Sequence, residues 1–201
     1  DVERSRGLGD VYKRQVLQNA FSNTASSLIQ SKISGNLVFI LLPAIPGPQV
    51  AAAYIGASFV RSALAGAGLY LLCSWWASPP VREPGLLIAF GFFGAAIMAA
   101  LGLITALWAE KYDQMGAVMN FVIMPLTFLS GVFYSVDSLP PFWQAASRLN
   151  PFYYLVDGFR QGFFGSGDTN TTLSLLIVAA TALAVTAAAV VLLVKGWKIR
   201  T

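Results

Sequence analysis

Two uninterrupted apolar runs, Gly85 to Ala109 and Leu173 to Val194, constrain this chain more than any other feature. A helix rises about 1.5 Å per residue, so about 20 apolar residues cross the hydrocarbon of a bilayer, roughly 30 Å thick. Within that layer every peptide group must be satisfied by the protein itself, and a helix does so alone. Two more stretches read as spans, Ala53 to Trp76 and Met115 to Phe133, which makes four. Charged residues are 11% of the 201 and hydrophobic ones 56%, whereas a soluble domain carries about a quarter charged residues. The fold class expected is therefore an all-α membrane protein, a polytopic transmembrane helix bundle.

The remaining composition removes whole classes of chemistry. There is no histidine and one cysteine, Cys73, inside an apolar run. Disulfide frameworks, Cys/His metal sites and histidine acid–base catalysis are therefore excluded together, and no metal site is expected. The net charge is +4, but the cations sit at the ends of apolar runs rather than in clusters. That placement suits membrane orientation and not nucleic acid. No secretory signal is visible, because residues 1–15 (DVERSRGLGDVYKRQ) are charged and lack an apolar core. Their composition differs from that of residues 16–201, and they read as a non-native leader, with a native cytoplasmic tail as the alternative.

Val16 to Asn36 is too polar to span, and from Ser22 onward Ala25, Leu28, Ile29 and Ile33 repeat at helical spacing. Gly35-Asn36 supplies the stop. The expectation is an amphipathic helix on the cytoplasmic face. With Lys32 as its one cation it suits a docking partner better than a lipid surface. Leu37–Leu42, closed by Pro43, Pro46 and Pro48, reads as interfacial.

Within the spans, Arg61 is a functional candidate by depth. If the helix starts near Ala53, however, Arg61 lies two turns in and snorkels to the headgroups. Asn120 is expected to be a buried polar group, and Pro125 to kink the third span. Gly91, Ala95 and Ala99, with Gly94 and Gly102, form small-residue stripes suited to close helix packing, as do Ala180, Ala184 and Ala188.

Between the last two spans lies Phe133 to Gly165, with Pro140, Pro141 and Pro151 among Phe142, Trp143, Phe152, Tyr153 and Tyr154. Aromatic rings with a polar edge favour the membrane boundary, and prolines start or break helices. Two short helices at or dipping into one face are expected, Pro140–Leu149 and Phe152–Phe163, with a belted surface loop as the alternative. Arg160 is expected to pair with Asp157 three residues earlier, an anionic ligand being the other option. With a cytoplasmic C-terminus the inner side holds Lys32, Lys111, Lys195, Lys198 and Arg200, and the outer side Arg82, Arg148 and Arg160. The excess favours that orientation, with the lid facing outward.

The runs N-F-V-I-M-P-L-T-F-L-S-G-V-F-Y-S-V-D-S-L-P-P-F-W-Q (Asn120–Gln144) and L-N-P-F-Y-Y-L-V-D-G-F-R-Q-G-F-F-G (Leu149–Gly165) resemble the membrane subunit of type-2 ABC exporters. The segment S-S-L-I-Q-S-K-I-S-G-N (Ser26–Asn36) is similar to that family's cytoplasmic coupling region, and the resemblance covers Val16 to the C-terminus. It implies six transmembrane helices, two permease subunits per transporter (a homodimer), and an ABC ATPase subunit, separate or fused. It also implies that the first two family helices are missing, apart from Val16–Phe21 as the tail of the second. The chain then reads as an N-terminally truncated permease in a prokaryotic inner membrane. By the same resemblance Leu28, Ile29, Lys32, Ile33, Gly35 and Asn36 contact the ATPase. Pro140, Pro141, Phe142, Trp143, Asn150, Pro151 and Arg160 belong to an external, re-entrant gate, with Asn150-Pro151 as the break between its helices.

No G-x-x-x-x-G-K-[ST] motif occurs in the chain, so no cofactor is expected on it and ATP belongs on the partner. The function expected is an export permease for an amphiphilic substrate such as a drug, a lipid-linked sugar or a polysaccharide. An ion-coupled carrier or channel is the alternative, resting on Arg61, Asn120 and Pro125. An intramembrane enzyme lacks its acids and bases, since every carboxylate lies in a loop or in the leader.

Overall fold

The computed structural model describes residues 2–36, 47–76, 81–131, 136 and 139–195. Among these, every element is helical: α1 (Val2–Ile33), α2 (Gly47–Trp76), α3 (Pro84–Trp108), α4 (Tyr112–Val118), a π-helical turn (Met119–Ile123), α5 (Met124–Phe128), α6 (Pro141–Leu149), α7 (Pro151–Phe164) and α8 (Thr171–Val194). Among the described residues, three helices are long and apolar enough to cross a membrane: Pro48–Leu72, Pro84–Trp108 and Thr171–Val194. The interfacial reading of residues 37–42 lies outside the described residues.

The expected third span, 115–133, is a broken one. It consists of seven α, five π and five α residues in succession. Pro125 has no N–H, and its ring crowds the carbonyl four residues back. The turn before it widens instead, with the Met124 N–H donating to the Met119 carbonyl, a relief typical of π-bulges.

The largest correction concerns α1, which does not begin at Ser22 and whose apolar stripe is not a free face. It is one helix of 32 residues. Its stripe of Ala20, Phe21, Thr24, Ala25, Leu28 and Ile29 is buried in the core, packed chiefly against α3 and then α2. The polar residues that argued against burial find partners inside the protein. Thr24 bonds the Ser58 hydroxyl of α2 and also donates to the Ala20 carbonyl. Small residues bring the backbones together. A Cβ on Gly102 of α3 would lie 2.6 Å from the Phe21 carbonyl oxygen, so this crossing requires glycine.

The α8 stripe of Ala180, Ala184 and Ala188 faces outward instead. The face of α8 that packs carries Ser174, Val178, Ala182, Ala189 and Leu193. Against the first half of α3 lies α7, where two more glycines set the distance. A Cβ on Gly158 would meet the Phe90 ring at 2.4 Å, and one on Gly162 would meet Leu87 at 2.6 Å.

Candidate functional site

Two clusters of the expected site residues are brought together at different places, one where α1 ends and one at α6–α7. At the first, α1 stops because Gly35 takes φ +71°, the left-handed conformation glycine adopts without strain. Lys32, just before that stop, donates its ammonium to the carbonyls of Ala106 (2.6 Å), Leu107 (2.8 Å) and Ala109 (3.2 Å). These are among the last carbonyls of α3, which have no partner within their own helix and carry its negative dipole end. The Tyr112 hydroxyl donates to Gln30 beside them. The end of α1, the end of α3 and the start of α4 therefore form one joint.

The expected docking face is only partly available. Leu28 and Ile29 are 1% and 0% exposed, because the stripe that looked free is what holds α1 to α3. Ile33, at 56% exposure, and Gly35 and Asn36 remain on the surface.

At the second cluster, α6 and α7 meet at Asn150, which closes one helix and opens the next. Its side-chain oxygen accepts from the Phe152 N–H (3.0 Å), and its amide donates to the Leu126 carbonyl (2.6 Å). Pro141 and Pro151 occupy first-turn positions, where the missing N–H costs nothing. Pro140 precedes α6 as its cap residue. Phe142 and Trp143 sit edge to face at 5.4 Å and are largely exposed, at 74% and 48%.

Arg160 does not pair with Asp157. It bonds Asp168 at 2.7 Å and the Gly131 carbonyl at 3.2 Å. Asp157 is 1% exposed on the packed side of α7, where the loop leading to α8 folds over it. It accepts from the N–H of Asp168 (2.8 Å) and of Thr169 (3.1 Å), from the Gln161 amide (3.0 Å) and from the Thr169 hydroxyl. Gln161 also donates to the Thr169 carbonyl at 2.8 Å. Sequence reasoning did not find this knot. The signal was present in Asp157 and Gln161 at i, i+4, followed by the polar run S-G-D-T-N-T (166–171).

The intramembrane polar candidates also change role. Because α2 starts at Gly47 rather than Ala53, Arg61 lies near the middle of the helix instead of two turns in. Its guanidinium reaches Asn23 of α1 at 3.2 Å. Asn120 is exposed on the π turn, not buried.

Residues 15–164, from α1 to the end of α7, match the family model described as ABC-2 type transporter. The chain belongs to the ABC-2 type transporter family. The inner membrane transport permease YadH of Escherichia coli (strain K12) is 36% identical to this ABC-2 chain over 166 residues, which are 81% of the chain and 64% of YadH. The nodulation protein J of Rhizobium leguminosarum bv. trifolii is 32% identical over 115 residues, 52% of the chain and 40% of its own length. The capsule polysaccharide export inner-membrane protein BexB of Haemophilus influenzae is 31% identical over 105 residues, 51% and 37% of the two chains. The ABC-2 chain thus spans 64% or less of the length of these relatives.

Proposed function

We propose that this chain is the permease part of an ATP-driven exporter that moves an amphiphilic substrate outward across an inner membrane. It works with a separate ATPase subunit and a second permease copy. The supporting relatives are one named as an inner membrane transport permease and one named for capsule polysaccharide export. The observation that carries the reading is the joint at Lys32, where the end of α1 holds the end of α3 through three carbonyls.

Movement of an ATPase against the exposed Ile33, Gly35 and Asn36 is passed through Lys32 to α3, and along α3 to α7. There α7 lies on the first half of α3 through Gly158 and Gly162. The α6–α7 pair acts as the outward gate, entering the bundle at Asn150 and leaving it at Gly165. This orientation puts Lys32, Lys111 and Lys195 inside, together with the C-terminus.

The test is co-purification and coupled transport. An ATPase subunit is expected to co-purify with the permease from its native membrane, and Ile33→Glu to release it. Lys32→Met is expected to leave the ATPase bound and hydrolysing while transport falls, and Lys32→Arg to restore part of it. Transport that survives ATP depletion and stops when the ion gradient is collapsed overturns this reading in favour of an ion-coupled carrier.

A further inference from the structure

Between α2, α3 and α7 lies a groove of about 440 Å³, within the range of small-molecule sites. Its wall is apolar, formed by Phe59 and Tyr70 of α2, Leu87 and Gly91 of α3, and Phe159 and Phe163 of α7.

The position of the groove indicates what fills it. It lies on two of the helices that are long and apolar enough to cross a membrane, a setting that favours an apolar occupant. From Tyr70 down to Phe59 is eleven residues of helix, about 16 Å, close to half of a hydrocarbon core of about 30 Å. That is the length available to an acyl chain in one leaflet. At the mouth, Val81 and Pro84 line the groove, and between them Arg82 and Glu83 are exposed. Both backbone N–H groups there donate to the Gly162 carbonyl, at 3.2 and 3.0 Å, which ties the backbone of both residues to the end of α7 beside the mouth. Opposite charges side by side match a head that carries a phosphate and an ammonium.

We propose that this groove binds one acyl chain of a zwitterionic phospholipid, with the head held at Arg82 and Glu83. The site does not depend on ATP coupling, so its failure and that of the exporter reading are separable. The full chain is reconstituted in phosphatidylethanolamine vesicles containing a trace of the same lipid with a photoreactive group on its acyl chain. Label is expected on peptides covering 59–70 and 84–95, in excess over the outward-facing peptide around Leu176–Leu183 of α8. Ala67→Phe, which fills the groove from α2, is expected to lower that label about tenfold, equivalent to about 1.4 kcal/mol. Ile88→Trp, at a largely exposed lining position, serves if Ala67→Phe does not fold. Label spread equally over all outward-facing helices overturns the site. So does label that neither substitution reduces, or a cross-link joining two copies of the chain through the groove.

Discussion

The side-chain amide of Asn150 donates to the backbone carbonyl of Leu126 at 2.6 Å. Leu126 lies in the last turn of α5, where the helix leaves carbonyls without an internal partner. One asparagine therefore caps α7, ends α6 and ties both to the broken third span.

Asn150→Ala removes the cap and orphans that carbonyl, and is expected to cost about 2–4 kcal/mol. Asn150→Asp keeps an oxygen for the Phe152 N–H but loses the donor to Leu126, so a smaller loss is expected. Thermal unfolding in detergent reads both. Equal melting of all three proteins sinks the role assigned to Asn150.

Gly102→Ala places a Cβ 2.6 Å from the Phe21 carbonyl oxygen, and backbone cannot move aside as a side chain can. A loss of about 1–3 kcal/mol is expected from overpacking. Gly116 has open space around its would-be Cβ, so Gly116→Ala is expected to stabilise α4 by about 0.5–1 kcal/mol. Opposite signs in the shift of Tm are the result to look for; destabilisation by both removes the argument.

Asp157→Asn puts an amide where four donors converge, and a loss of about 2–3 kcal/mol is expected. The local readout is hydrogen exchange. The Asp168 and Thr169 amides should exchange faster in the variant while α3 amides do not. Unchanged protection of these two amides counts against the knot.

Arg160 and Asp168 form an ion pair whose side chains are 29% and 36% exposed. Exposed pairs contribute little, and a double-mutant cycle with alanine should give a coupling of about 0.2–1 kcal/mol. A coupling several times larger indicates that the Gly131 carbonyl contact, also made by Arg160, depends on Asp168.

The lid was legible in the chain because prolines act locally. Pro141 and Pro151 begin helices wherever the fold places them, so helices over 140–149 and 152–163 are readable within two residues of Pro141–Leu149 and Pro151–Phe164. The partner of Arg160 was not legible. A spacing of i, i+3 puts Asp157 within reach, but which side of α7 is buried depends on Phe90 and Leu87 of a distant helix. The contact of Arg61 with Asn23 was not legible for the same reason, since Asn23 lies on another helix.

By itself the sequence determined that this is a helical membrane chain, because hydrocarbon imposes its cost residue by residue and long apolar runs need no partner to reveal it. It also determined the absence of histidine and disulfide chemistry and the position of the helix breaks. Only the tertiary structure decided that one stripe of the polar helix α1, from Ala20 to Ile29, is packed in the core. Its threonine, lysine and asparagine are satisfied by Ser58, by the end of α3 and by Arg61, all far away along the chain. Hydropathy is a property of a segment, whereas hydrogen-bond satisfaction is a property of the fold, and a polar helix is buried only when the fold supplies the partners.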